Sequence, residues 1–93
     1  MKKPSELIKV SGERTTVSPK DGKGFKFKGE AYDLIGTNMI QIVETKDGRI
    51  MLIDEEGKLK DKPINIEATK LYKYGEHDPI VGNVILCEID QCQ

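Results

Sequence analysis

The sequence predicts an α+β fold: a small mixed, mainly antiparallel sheet carrying two short helices. Three observations predict it. From Met39 to Leu59 two apolar runs flank a tight Lys46-Asp47-Gly48-Arg49 turn, the strongest short-range sign of a β-hairpin. Apolar residues recur twice at helical spacing, at Phe27, Ala31, Leu34 and Ile35 and again at Ile64, Ala68, Leu71 and Tyr72. A run rich in Val and Ile, Ile80 to Ile89, supplies a further strand. At 93 residues these elements form a single domain, residues 1–93, with no room for a second core.

Leu7-Ile8-Lys9-Val10 and Arg14-Thr15-Thr16-Val17 are β-compatible runs joined by Ser11-Gly12-Glu13, which reads as a first hairpin. Pro19, Asp21, Gly22 and Gly24 then break regular structure over Ser18 to Gly24. The first helical stripe begins at Phe27 and Gly36 stops it. In the central hairpin Ile40 and Ile42 share one face, and Met39, Gln41 and Val43 the other. Its second strand, Arg49 to Asp54, is apolar at Ile50, Met51, Leu52 and Ile53, so either both of its faces are covered or one face is used for association. Both central turn residues, Asp47 and Gly48, are expected at positive φ. Lys58 to Lys62 is polar and pairs briefly through Leu59. The second helix takes Asn65 as N-cap, carries Lys70 and Lys73 near its C-terminal end and stops at Gly75. Gly82-Asn83 interrupts the last strand and marks a bulge, or a point where a backbone or ligand comes close.

Net charge is −1, but it is unevenly spread along the chain. Residues 1–28 hold eight Lys or Arg against three acids, and residues 29–93 hold seven against thirteen. No run approaches the roughly 18 apolar residues of a membrane span. Met1-Lys2-Lys3 is followed by no apolar core of a signal peptide, so a cytoplasmic location is expected.

Catalytic and metal chemistry find little to work with. Cys87 and Cys92 have four residues between them and no His nearby, which makes a poor zinc site, and a cytoplasmic setting disfavours a disulfide. Cys87 therefore reads as a small strand residue. His77, between Glu76 and Asp78, has no Ser or Cys beside it to activate. Asp54-Glu55-Glu56 is followed by Lys58 and Lys60 where a calcium loop needs acids. Gly22-Lys23-Gly24 lacks phosphate-loop spacing. Lys23-Gly24-Phe25-Lys26-Phe27-Lys28 interleaves bases with aromatics, as single-strand binders do, but Lys26, Lys28 and Glu30 stand where an RNA-recognition strand needs other residues. Nucleic acid is thus not expected as a partner, and the lysines read as an anion-attracting surface. No enzyme activity and no cofactor are expected.

Several words of the sequence resemble a family of small proteins of unknown function encoded mostly by phages, prophages and plasmids. They are Leu34-Ile35-Gly36, Ile40-Gln41-Ile42-Val43, Asp47-Gly48, Asp54-Glu55-Glu56-Gly57-Lys58-Leu59, Pro63-x-Asn65 followed by Ala68-Thr69, and Ile80-Val81-Gly82-Asn83-Val84. Asp54 stands where that family commonly has Asn, and Thr37-Asn38 replaces a second Gly. The resemblance brings no catalytic residues. It implies an accessory protein of a mobile element acting against host defence.

Together these readings predict a non-enzymatic, homo-oligomeric binding protein that sequesters an anionic nucleotide signal. Lys23, Lys26 and Arg49 would grip phosphate, Tyr72 or Tyr74 would stack a base, and Asn83 would lie close to the ligand. The alternative is a protein-interaction module that inhibits a host protein through its sheet edge or its two-faced hairpin, with Met39, Met51 and Ile53 as contacts. Neither reading involves a membrane.

Overall fold

A computed structural model describes residues 5–17, 32–37 and 39–88. In chain order the elements are β1 (Ser5–Ile8), β2 (Arg14–Val17), α1 (Tyr32–Ile35), β3 (Ile40–Glu44), β4 (Ile50–Asp54), α2 (Ile66–Leu71) and β5 (Val84–Cys87). The five strands form one sheet in the order β2-β1-β5-β4-β3, and every pairing is antiparallel. A mixed sheet is expected from the sequence, yet no parallel pair occurs among the described residues. The reason is that β1–β2 and β3–β4 are hairpins and β5 enters between them antiparallel to both.

The sequence places the central hairpin in the middle of the sheet; the structure puts β5 there instead. Val84, Ile85, Leu86 and Cys87 are all buried, as a strand flanked on both sides and covered on both faces must be. On one face Leu7, Ile50, Leu52, Ile85 and Cys87 pack with Ile35 of α1. On the other Ile8, Val43, Met51, Val84 and Leu86 pack with Ala68 of α2 and with Ile80. Of the two readings of β4, cover on both faces therefore holds. Met51 is fully buried in the second cluster and is not available as a surface contact.

Local chemistry explains the boundaries. In the β3–β4 turn only Gly48 has positive φ, +85°, and Asp47 does not. Thr45 N–H donates to Arg49 O at 3.0 Å across a three-residue loop, so the Gly alone takes the left-handed position. Asp47 instead uses its carboxylate to accept from the Thr45 hydroxyl and the Arg49 guanidinium.

Helix α2 starts as expected at Asn65, whose Oδ1 accepts from Ala68 N–H at 3.0 Å. It ends at Leu71, earlier than Gly75, because Lys46 N–H donates to Leu71 O and Lys73 N–H to Glu44 O, which pulls residues 71–73 straight alongside β3. Ile64 lies outside the helix and bridges to Val81. Leu59 is exposed in a run of turns and pairs with nothing described.

The last strand is shorter than the sequence predicts. Gly82 adopts φ +77°, and a Cβ there would stand 2.9 Å from Lys62 Cδ, so the chain kinks between Ile80-Val81 and β5. Cys87 is disulfide-bonded, against the reading that leaves it free. The redox-compartment argument behind that reading concerns poise and not geometry; the other cysteine, Cys92, lies outside the described residues. Phe27, Ala31 and the glycine loop of residues 18–24 lie outside them too.

Candidate functional site

Two buried polar side chains, Asn65 and Asp54, and the half-buried Thr69 anchor the scaffold. Asn65 Nδ2 donates to Ile8 O at 3.0 Å and Gly82 O at 2.9 Å, which ties α2 to β1 and to the entry of β5. Thr69 accepts from Ile80 N–H at 2.9 Å and donates to Asn65 O at 2.8 Å. Asp54 continues the Ile50, Leu52 alternation onto the α1 face, and its side chain is 0% exposed. Burial pushes this carboxyl up, but Lys62 at 2.6 Å, the Thr37 hydroxyl at 2.7 Å, Glu56 N–H at 2.9 Å and Lys60 at 3.2 Å more than offset it, and the pKa falls to about 2. Lys62 Nζ also donates to Gly36 O at 3.2 Å, so this cluster fastens α1 to the end of β4.

Those of the residues nominated for a ligand that are described are not gathered into one place. Lys23 and Lys26 lie outside the described residues. Arg49 is folded onto Asp47, 2.7 Å away, and holds that carboxyl well below the usual range. Asn83 Oδ1 accepts from Val10 N–H at 3.1 Å, fastening the β1–β2 hairpin. Tyr72 and Tyr74 do meet, edge to face, with ring centroids 5.8 Å apart, and Lys73 Nζ lies 5.8 Å from the Tyr74 ring.

Of these residues Tyr72 lines a hollow of about 240 Å³ on the α2 face of the sheet. Val43, Ile53 and Ile80 give it apolar walls, with Gln41, Glu55 and the Lys58–Asp78 ion pair at its polar positions. Ile53, half-buried here, is the one of the three expected interaction contacts that reaches this hollow. Three acids, Asp54, Glu55 and Asp78, against one paired lysine offer an anion little. A second hollow of about 330 Å³ lies along α2, lined by Ile64, Ile66, Lys46 and Lys70, with Glu76 among its walls and Lys70 3.5 Å from Glu67. Among the described residues no group of three or more His, Cys, Asp or Glu is arranged to hold a metal, and no helix is long and apolar enough to cross a membrane.

The outer edge of β3 borders the first hollow through Gln41 and Val43. Thr45 N–H donates to Arg49 O and Glu55 N–H to Met39 O, with Gln41 opposite Ile53 and Val43 opposite Met51. Antiparallel pairs alternate, so the odd-numbered residues of β3 spend their backbone groups on β4 and Ile40, Ile42 and Glu44 turn theirs outward. Lys73 N–H occupies Glu44 O at 3.1 Å. Among the described residues nothing pairs with the outward N–H and C=O of Ile40 and Ile42. Met39 is 46% exposed and Ile42 47%. The signal for this edge was present in the alternation of Met39 to Glu44, but not its position in the sheet.

Residues 11–93 match the model of a family described as a domain of unknown function, DUF3846. No curated protein and no solved structure matches the chain.

Proposed function

The chain belongs to the DUF3846 family, and we propose that within it this protein works by recognition rather than catalysis: the open edge of β3 takes an extended segment of a protein as a sixth strand. The observation that carries this reading is the pair of outward backbones at Ile40 and Ile42, bordered by the hollow beneath Gln41, Val43 and Tyr72. Strand addition obtains affinity from main-chain hydrogen bonds and selectivity from pockets for alternate side chains, and both are adjacent here. A mobile-element setting, which the sequence resemblance implies, makes the recognised protein a host component whose action is blocked. This reading takes precedence over capture of an anionic nucleotide, because Arg49 and Asn83 are spent on structural partners and the Tyr72 hollow is lined by more carboxylate than ammonium.

Replacing Ile42 with Pro removes an outward N–H and leaves the ladder to β4 intact. Immobilised native chain incubated with host lysate is expected to retain a stoichiometric protein that Ile42→Pro loses. Equal retention by the variant overturns the reading, as does a thermal shift with cyclic or linear nucleotides when no protein is retained.

A further inference from the structure

The open part of the β3 edge is self-complementary, and we infer that until a host segment displaces it the edge is occupied by β3 of a second copy of this chain, paired antiparallel about a two-fold axis through Gln41. This rests on the reading of the edge as a docking strand. The residues 71–73 strap covers the edge from Glu44 onward, since Glu44 O accepts from Lys73 and Lys46 N–H donates to Leu71 O at 2.9 Å. Among the described residues, what remains open is one N–H and one C=O on each of Ile40 and Ile42, and the N–H of Glu44. An axis through Gln41 sets Ile40 opposite Ile42 of the other copy, twice, so that four hydrogen bonds use both open groups of each isoleucine and none that the strap occupies. An axis through Ile42 would instead require the Glu44 carbonyl, which already accepts from Lys73.

Side chains agree with that register. Residues Met39 to Val43 carry no charge, whereas exposed edges are ordinarily blunted by charged residues. At the opposite edge of the sheet β2 is exposed at Arg14, Thr15 and Thr16, a charged and polar edge of the blunted kind. On the α1 face the half-exposed Ile42 is covered by Ile40 of the second copy, an apolar cross-strand pair. On the α2 face the two Gln41 amides oppose each other and can exchange hydrogen bonds, each having both donor and acceptor atoms. The same alternation sets Met39 of one copy opposite Val43 of the other, on the face that holds the Tyr72 hollow. Each copy thus offers a flexible apolar side chain to the site of its neighbour.

Few residues per copy take part, fewer than in a standard interface, so a covalent trap is the suitable test. Across an antiparallel non-hydrogen-bonded pair the Cα atoms stand about 4.5 Å apart, within disulfide reach. Full-length Gln41→Cys, oxidised mildly alongside the native chain, is expected to give a disulfide-linked dimer on a non-reducing gel. Met39→Cys is expected to remain monomeric, because its counterpart is Val43. Adding Ile42→Pro, or Ile42→Lys should the proline variant fail to fold, is expected to lower the dimer yield at least tenfold. Dimer formation by Met39→Cys as readily as by Gln41→Cys, or a yield that Ile42→Pro and Ile42→Lys leave unchanged, overturns the register. A Gln41→Cys chain that stays monomeric overturns self-pairing. If an Ile42→Pro-sensitive host protein is still recovered in that case, the edge reading stands without it, and if none is recovered both fall.

Discussion

Replacing Asp54 with Asn removes the one charge that four donors converge on. In the folded chain its carboxyl titrates at about 2 against 3.8 for the free group, since Lys62, Thr37, Glu56 N–H and Lys60 together outweigh the burial that pushes it up. At about 1.36 kcal/mol per pH unit, that difference corresponds to about 2 kcal/mol of stability. The Asp54 side chain is buried, but Lys60 is partly exposed, so solvent screening trims the share that Lys60 supplies. The folded value lies below the unfolded one, so this contribution is complete above about pH 4 and is lost as the pH falls from 4 through 2. Urea denaturation of native chain and Asp54→Asn should therefore show a gap of about 2 kcal/mol at pH 7 that shrinks markedly by pH 2.5. A gap of the same size at pH 7 and pH 2.5 would refute the reasoning, because it would mean that the carboxylate charge contributes nothing beyond shape.

Asn65→Ala should cost about 2 to 4 kcal/mol in the same assay, because it removes the α2 cap and strands the buried carbonyls of Ile8 and Gly82. Gly82→Ala should destabilise by more than about 1 kcal/mol, combining a φ of +77° with a Cβ that meets Lys62. Part of that loss should disappear in the Asp54→Asn background, which a double-mutant cycle measures. In amide exchange, Gln41 and Val43 should be protected well beyond Ile40 and Ile42 in dilute protein, and raising the protein concentration should slow exchange at Ile40 and Ile42 selectively.

Alternation and capping chemistry were the legible part of the fold. The period-2 pattern of Met39 to Asp54 reports which side chains share a face, and Asn65 with Ala68 and Leu71 reports a helix start, because both signals are local. The order of the strands is not local. Nothing in Ile80 to Ile89 says that its second half inserts between β1 and β4, and the run of buried residues at Val84 to Cys87 reads equally as an edge of an apolar cluster. The helical stripe overreached at both ends because Ile64 and Tyr72 answer to partners far along the chain, Val81 and Thr45. For the site, counting cations misled: Arg49 sits in a turn beside Asp47, and a carboxylate two residues away claims a guanidinium before any ligand can. Asp54 draws notice in the sequence only as the start of a failed calcium loop, although its place after Ile50 and Leu52 on one strand face already points it inside the protein.

The words that carry the family resemblance are accounted for by the scaffold. Asp54 gathers Lys60 and Lys62, Gly57 lies where a Cβ would meet Val81 Cγ2 at 2.7 Å, Asn65 and Thr69 tie α2 to the sheet, and Gly82 makes way for Lys62. Each would be needed whatever the domain bound. Ile40-Gln41-Ile42-Val43 is different, since only Val43 of the four is buried in the core and the outward backbones of the two isoleucines have no structural task among the described residues. A strand that is apolar, uncharged and unpaired on its outer side is a hazard to solubility unless something covers it. That hazard is removed most directly by a partner strand, so residues 39–43 are where binding has the strongest physical reason to occur.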